Sequence, residues 1–194
     1  MVLLLRRKSK VNNKLMIVAH PDDEVLFGGS QLITEKNWKV VCVTNGNNTT
    51  RSFEFGSVMK LLNLDYEIWD YSDYQFQEFD QDVLEKDLLK IINEKNWDKI
   101  VTHNSYGEYG HTHHKQLNRL IKQLVRTKNL WTFNYHKSKQ LPDDVWQKKL
   151  ELIQIYQSQK EICDDFIFGK EPDYKNYSHY KIRNEIISKE NLFI

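Results

Sequence analysis

The chain has 194 residues, with 28 lysines and arginines against 27 aspartates and glutamates and a formal net charge of +1. That length suits one domain with a sizeable core, and the balance of charge excludes a global basic field for nucleic acid or an anionic membrane. Two cysteines, Cys42 and Cys163, are too few for a disulfide framework and read as ordinary reduced residues.

In chain order, Val2 to Leu5 is a short apolar stub followed by Arg6, Arg7, Lys8 and Lys10. It reads as a basic N-terminal arm (residues 1–13), neither a signal peptide nor a membrane span, so a soluble cytoplasmic protein without a transmembrane segment is expected. Leu15 to Ala19 is continuously apolar and predicts a strand buried on both faces. It runs directly into Ala19-His20-Pro21-Asp22-Asp23-Glu24. A nitrogen ligand and a carboxylate three residues apart can close on one Zn²⁺ if the chain turns sharply, which Pro21 favours. Asp22 then stands beside the metal, where a general base is needed. The same string also fits a helix start capped by Asp22 or Asp23.

Val25 to Lys36 has helical spacing interrupted by Gly28 and Gly29, and Lys39 to Thr44 predicts a strand ending at the Asn45-Gly46 turn. Glu54 to Leu64 predicts a helix and Tyr66 to Tyr71 a third strand. Asp82 to Lys95 repeats Val83, Leu84, Leu88, Ile91 and Ile92 as an amphipathic helix. Lys99 to Thr102 supplies strand four, His114 to Lys128 a helix, Leu130 to Tyr135 strand five, and Asp143 to Lys160 a single long helix. Beyond Cys163 the chain turns polar and tyrosine-rich; residues 164–194 are expected to form an extension wrapped on the domain. Strands separated by single helices make right-handed βαβ units. The expected fold is α/β, Rossmann-like and three-layered, with a mainly parallel sheet of core order 3-2-1-4-5 and one domain over residues 1–194.

In that order strands one and four are neighbours, and the crevice between their carboxyl ends is the expected ligand site. The segment after strand four, His103 to His114, contains Gly107-Glu108-Tyr109-Gly110-His111-Thr112-His113-His114. Gly107 and Gly110 allow a tight turn. His20, Asp23 and a histidine of this segment would give three protein ligands and one open position for water, as hydrolytic zinc sites require. Taken alone, the histidines also fit a surface cluster.

These residues resemble the PIG-L/LmbE-like family of zinc-dependent sugar N-deacetylases. Ala19 to Glu24 match its first motif at every position, and Tyr109, Gly110, His111 and His114 match its second. Weaker elements appear in order at Thr44-Asn45-Gly46, at Arg51 with Glu54, and at Tyr156-Gln157-Ser158-Gln159. The resemblance implies metal ligands His20, Asp23 and His114, with Zn²⁺ or another divalent transition metal as cofactor. It implies Asp22 as base, His111 and Tyr109 as catalytic hydrogen-bonding partners of the reacting carbonyl, and Arg51 in substrate binding. The implied substrate is an N-acetylglucosamine-type sugar or glycoconjugate, giving acetate and a free amino sugar. His113 departs from the pattern, since family members often carry an acid or amide there that orients the first histidine of the pair.

Among other residues, His103 is expected to be buried and hydrogen-bonded beside the site, His136 to be structural, and Glu24 to hold the helix start. Tyr74, Phe76, Tyr106 and Trp131 read first as core and second as stacking faces for a sugar. A dinucleotide site is disfavoured, because carboxylates and not Gly-x-Gly-x-x-Gly follow strand one. A zinc amidase for a thiol-sugar conjugate and a non-catalytic glycan-binding module are the alternative functions.

Overall fold

The computed structural model describes residues 12–74, 77–125, 129–133, 139–168, 184–185 and 187–189. Five parallel strands, β1 (Lys14–Val18), β2 (Trp38–Thr44), β3 (Asp65–Tyr71), β4 (Lys99–Thr102) and β5 (Leu130–Phe133), lie in the order 3-2-1-4-5. The expected fold class and strand order are therefore correct. A short strand, Ile187–Lys189, adds to β5 in antiparallel sense, so the sheet ends on a reversed edge.

Leu15, Met16, Ile17 and Val18 of β1 are all fully buried, because alternate side chains enter two different cores. Met16 and Val18 pack with Val40, Cys42 and Val101 under α1 (Asp23–Thr34), α2 (Thr49–Leu61), α5 (Asp143–Ile153) and α6 (Lys160–Phe168). Leu15 and Ile17 pack with Val41, Val43 and Ile100 under α3 (Gln81–Ile92) and α4 (Thr112–Leu124). These are the three layers. Gly28 does not break α1; it lets the helix descend onto the sheet, since a Cβ there would stand 2.7 Å from Met16 Cε. Both cysteines are free and buried.

Three expectations need correction. Helix α2 begins at Thr49, five residues before the predicted start, because the Asn48 side chain accepts the Arg51 amide and caps it (3.1 Å). The long helix predicted from Asp143 to Lys160 is broken: α5 ends at Ile153, and a 3₁₀ turn (Gln157–Gln159) leads into α6. The cause is tertiary, as Glu54 of α2 accepts both the Ser158 amide (2.8 Å) and the Ser158 hydroxyl (2.5 Å), pulling the chain out of helical register. Finally, Tyr74 and Tyr106 are 68 % and 71 % exposed on loops at the carboxyl edge of the sheet, not in the core. Trp131 is partly buried against the core. Phe76 and His136 lie outside the described residues.

Candidate metal centre and hydrolytic site

Strand β1 hydrogen-bonds to both β2 and β4, and the loops leaving β1 and β4 meet above their carboxyl ends. In the first loop, Asp22 adopts φ 117° and ψ −34°, a conformation that L side chains rarely occupy and that persists only where surroundings enforce it. Its carbonyl accepts the amides of Val25 (3.0 Å) and Leu26 (2.9 Å), and its own amide donates to Glu24 Oε2 (3.1 Å). Glu24 is fully buried, accepts the Tyr156 hydroxyl, and has its carboxyl pushed by burial up to about 8. It holds the loop, as its position at the helix start suggests. This twist sends Asp22 and Asp23 to different places.

Asp23 turns back under His20, accepting the His20 amide at 2.8 Å. Its Oδ2 is 3.2 Å from His20 Nδ1 and 3.2 Å from His114 Nε2, and those two nitrogens are 3.2 Å apart. Three buried donor atoms thus form an equilateral triangle. Tetrahedral coordination with bonds of about 2.0–2.2 Å sets donor separations of about 3.3–3.6 Å, so the triangle fits one divalent cation of the zinc type. His111 also places a ring nitrogen within 4.8 Å of its counterparts on His20 and His114. His113 does not join the triangle: its Nδ1 lies 3.0 Å from Nε2 of His20, on the far side of that ring.

Glu108 sits beneath these rings. It is buried at φ 57°, between Gly107 (φ 68°) and Gly110 (φ 98°). Its Oε2 accepts from Nδ1 of His114 (2.7 Å) and Nδ1 of His103 (2.8 Å), while Oε1 accepts the Asn104 amide (2.9 Å). Burial opposes its charge, but the two imidazoles hold its carboxyl down near 2. With the proton on Nδ1, His114 directs the Nε2 lone pair at the triangle; a carboxylate behind a ligating histidine is the usual means of fixing this tautomer. His103, buried as expected, spends its Nε2 lone pair on the Ala19 amide (3.0 Å). Sequence reading missed Glu108, whose one signal is an acid inside a glycine-bracketed turn.

Asp22 is buried, with Oδ2 3.5 Å from Nη2 of Arg51. Burial and the neighbouring Asp23 charge raise its carboxyl to about 7 against the pull of Arg51. The Arg51 guanidinium also donates to the Pro21 carbonyl (2.9 Å) and to Asp73 Oδ2 (2.9 Å). Asp73, on the loop after β3, was likewise not singled out from sequence; its other oxygen is 3.2 Å from Nε2 of His20. His111 is the N-cap of α4, and its Nδ1 accepts the His113 amide (3.3 Å), which leaves the ring hydrogen on Nε2. Tyr109 lies edge-on to His111 (5.6 Å between ring centroids) and to His114 (5.4 Å). The structure therefore brings His20, Asp22, Asp23, Arg51, Tyr109, His111 and His114 into one site.

The chain is 38 % identical over 196 aligned positions to an uncharacterized protein of Acanthamoeba polyphaga mimivirus, covering 92 % of this chain and 81 % of that one. It is 30 % identical over 130 positions to the N-acetylglucosaminyl-phosphatidylinositol de-N-acetylase of Saccharomyces cerevisiae, covering 57 % of this chain and 42 % of the yeast protein. This chain thus spans less than half the length of the yeast enzyme. Among solved structures, the fold matches the N,N'-diacetylchitobiose deacetylase of Pyrococcus horikoshii (TM-score 0.66, 18 % identity, 91 % of this chain and 84 % of that one). It also matches a Pseudomonas putida 4-carboxy-2-hydroxymuconate hydratase (TM-score 0.62, 17 % identity, 91 % and 95 %), so the fold by itself does not select the reaction. Residues 15–125, more than half the chain and including both loops of the site, match the family described as GlcNAc-PI de-N-acetylase, PIG-L. The chain belongs to this PIG-L family.

Proposed function

We propose that the chain is a metal-dependent N-deacetylase that removes acetate from an N-acetylglucosamine-type sugar or glycoconjugate. The observation that carries this reading is the triangle of His20 Nδ1, Asp23 Oδ2 and His114 Nε2, each pair 3.2 Å apart, with the carboxylate of Asp22 held outside it. A zinc-type divalent cation bound there would act as a Lewis acid and lower the pKa of a water.

The protein's own groups supply the remaining chemistry. Asp22, buried beside the triangle with Arg51 at 3.5 Å, takes the proton of the attacking water as oxygen adds to the acetamide carbon. His111 is kept neutral by burial and by the imidazoles around it. Its Nε2–H donates to the developing oxyanion, and the Tyr109 hydroxyl provides a second donor. The C–N bond then breaks, and the proton held by Asp22 passes to the departing amine. The hydrogen bonds of Arg51 to Pro21 and Asp73 support a role in holding Asp22, in place of direct contact with substrate.

The family description and the yeast relative both name a lipid-linked N-acetylglucosamine, which brings that class into the substrate range beside soluble sugars and nucleotide sugars. No helix among the described residues is long and apolar enough to cross a membrane. Acetate release by the zinc-loaded full chain is the test, across free, nucleotide-linked and phosphatidylinositol-linked N-acetylglucosamine, with and without chelator. Release abolished by chelator and restored by metal is expected. No release from any of these substrates, with glycan binding indifferent to His20→Ala, would favour the binding-module reading instead.

A further inference from the structure

His113 lies one residue before the candidate ligand His114, and its surroundings are specific. It is 1 % exposed and stacks on Phe79 (centroids 4.1 Å apart, planes at 21°). Phe79 is itself pinned to α4, its amide donating to Gln116 Oε1 (2.7 Å) and its carbonyl accepting from Gln116 Nε2 (2.9 Å). An ionised carboxylate can only accept, so the contact of Asp73 Oδ1 with Nε2 of His20 puts the hydrogen on that nitrogen and leaves Nδ1 of His113 as its second acceptor. It faces Nε2 of His20 at 3.0 Å, and Asp73 Oδ1 stands 3.2 Å from the same nitrogen.

We infer that His113 and Asp73 form a tautomer lock on His20: the two acceptors hold the ring hydrogen on Nε2, and so leave the Nδ1 lone pair on the metal side. A neutral imidazole has one N–H and one lone pair, so fixing the first places the second. In this site His114 and His20 are locked by different means and in opposite senses. Glu108 accepts from Nδ1 of His114 and frees Nε2, whereas His113 and Asp73 accept from Nε2 of His20 and free Nδ1. His113 is thus a positioning residue for His20. Nδ1 of His111 is occupied separately, by the α4 backbone amide of His113.

The same three atoms, His20 Nε2, His113 Nδ1 and Asp73 Oδ1, also lie close enough together to suggest a second cation site. That would require His20 to give a lone pair from both nitrogens and become an imidazolate, so the hydrogen-bonded lock is the simpler state.

The inference rests on His20 being a ligand, and the experiment separates the two. Zinc affinity of the full chain is measured by chelator competition, with stoichiometry by elemental analysis and folding by circular dichroism. His20→Ala should abolish tight binding; if it does not, the ligand assignment fails. His113→Asn keeps an acceptor near the Nδ1 position and should bind as wild type does, His113→Leu should weaken binding, and His113→Leu with Asp73→Ala should lose about 10- to 100-fold, as removal of such outer partners does. In the zinc-loaded wild type, histidine ¹⁵N shifts should report His20 as the Nε2–H tautomer. An Nδ1–H assignment, a folded double variant that binds as tightly as wild type, or two zinc ions per wild-type chain would overturn the lock.

Discussion

Glu108→Gln is the sharpest perturbation of the proposed metal centre, because it preserves shape and removes only charge and acceptor capacity. Glu108 Oε2 serves two imidazole N–H groups at 2.7 and 2.8 Å, and Oε1 serves the Asn104 amide at 2.9 Å, all in a buried setting. A glutamine must turn its NH₂ toward one of these donors. Either the imidazole pair or the Asn104 amide then faces another donor. A buried unpaired donor costs about 1–3 kcal/mol, and converting two charge-assisted bonds to neutral ones costs about 1 kcal/mol each, giving about 3–5 kcal/mol in all. For a chain of this size that corresponds to a fall of about 6–20 °C in Tm. If His114 escapes by moving its proton to Nε2, it no longer offers a lone pair to the triangle, and metal affinity drops about 10- to 100-fold. Thermal unfolding of the metal-free chain and chelator-competition titration read the two effects separately. A variant that melts with wild type and binds zinc within about twofold would refute the reasoning.

Asp22→Asn should retain zinc and fold while kcat falls by about 10²- to 10⁴-fold, the usual range for loss of a general base; equal turnover in a steady-state acetate assay would remove Asp22 from that role. Gly107→Ala places a Cβ 2.7 Å from the His111 carbonyl on a backbone with φ 68°, so it should destabilise by about 1–3 kcal/mol in urea unfolding. Glu35 meets Lys14 (2.7 Å) and Lys99 (3.1 Å); burial opposes its charge, but the lysines hold its carboxyl below the usual value. Its contribution is therefore present at pH above the ordinary glutamate range and is lost as pH falls through the depressed value. Glu35→Gln should lower stability by no more than about 1 kcal/mol at pH 7, and the difference between the two proteins should vanish in acid.

Much of this molecule is legible from its residues. The apolar run Leu15 to Val18 and the βαβ alternation imply the sheet, and the sheet order brings the His20 and His114 loops together. What local pattern could not supply was anything decided by contact across the fold. Apolar spacing continues through Leu150, Ile153 and Tyr156, so the break in the last long helix is invisible until Ser158 meets Glu54, 104 residues away. Glu108 reads as one more polar loop residue; only its left-handed backbone and the two rings above it reveal its use. Asp73 lies on a loop without a motif and acquires meaning from Arg51 and His20.

The donors at His20 and His114 are 94 residues apart in sequence and meet because β1 lies beside β4. In the unfolded chain they are separate groups with no common site, so binding of the proposed metal would be thermodynamically linked to folding of the central strand pair. Each tenfold rise in free metal above the dissociation constant would then add about 1.4 kcal/mol to the folded state. On the proposed function, the cation supply of its compartment would thereby become a determinant of how much folded protein exists, and metal depletion would act on abundance as well as on turnover.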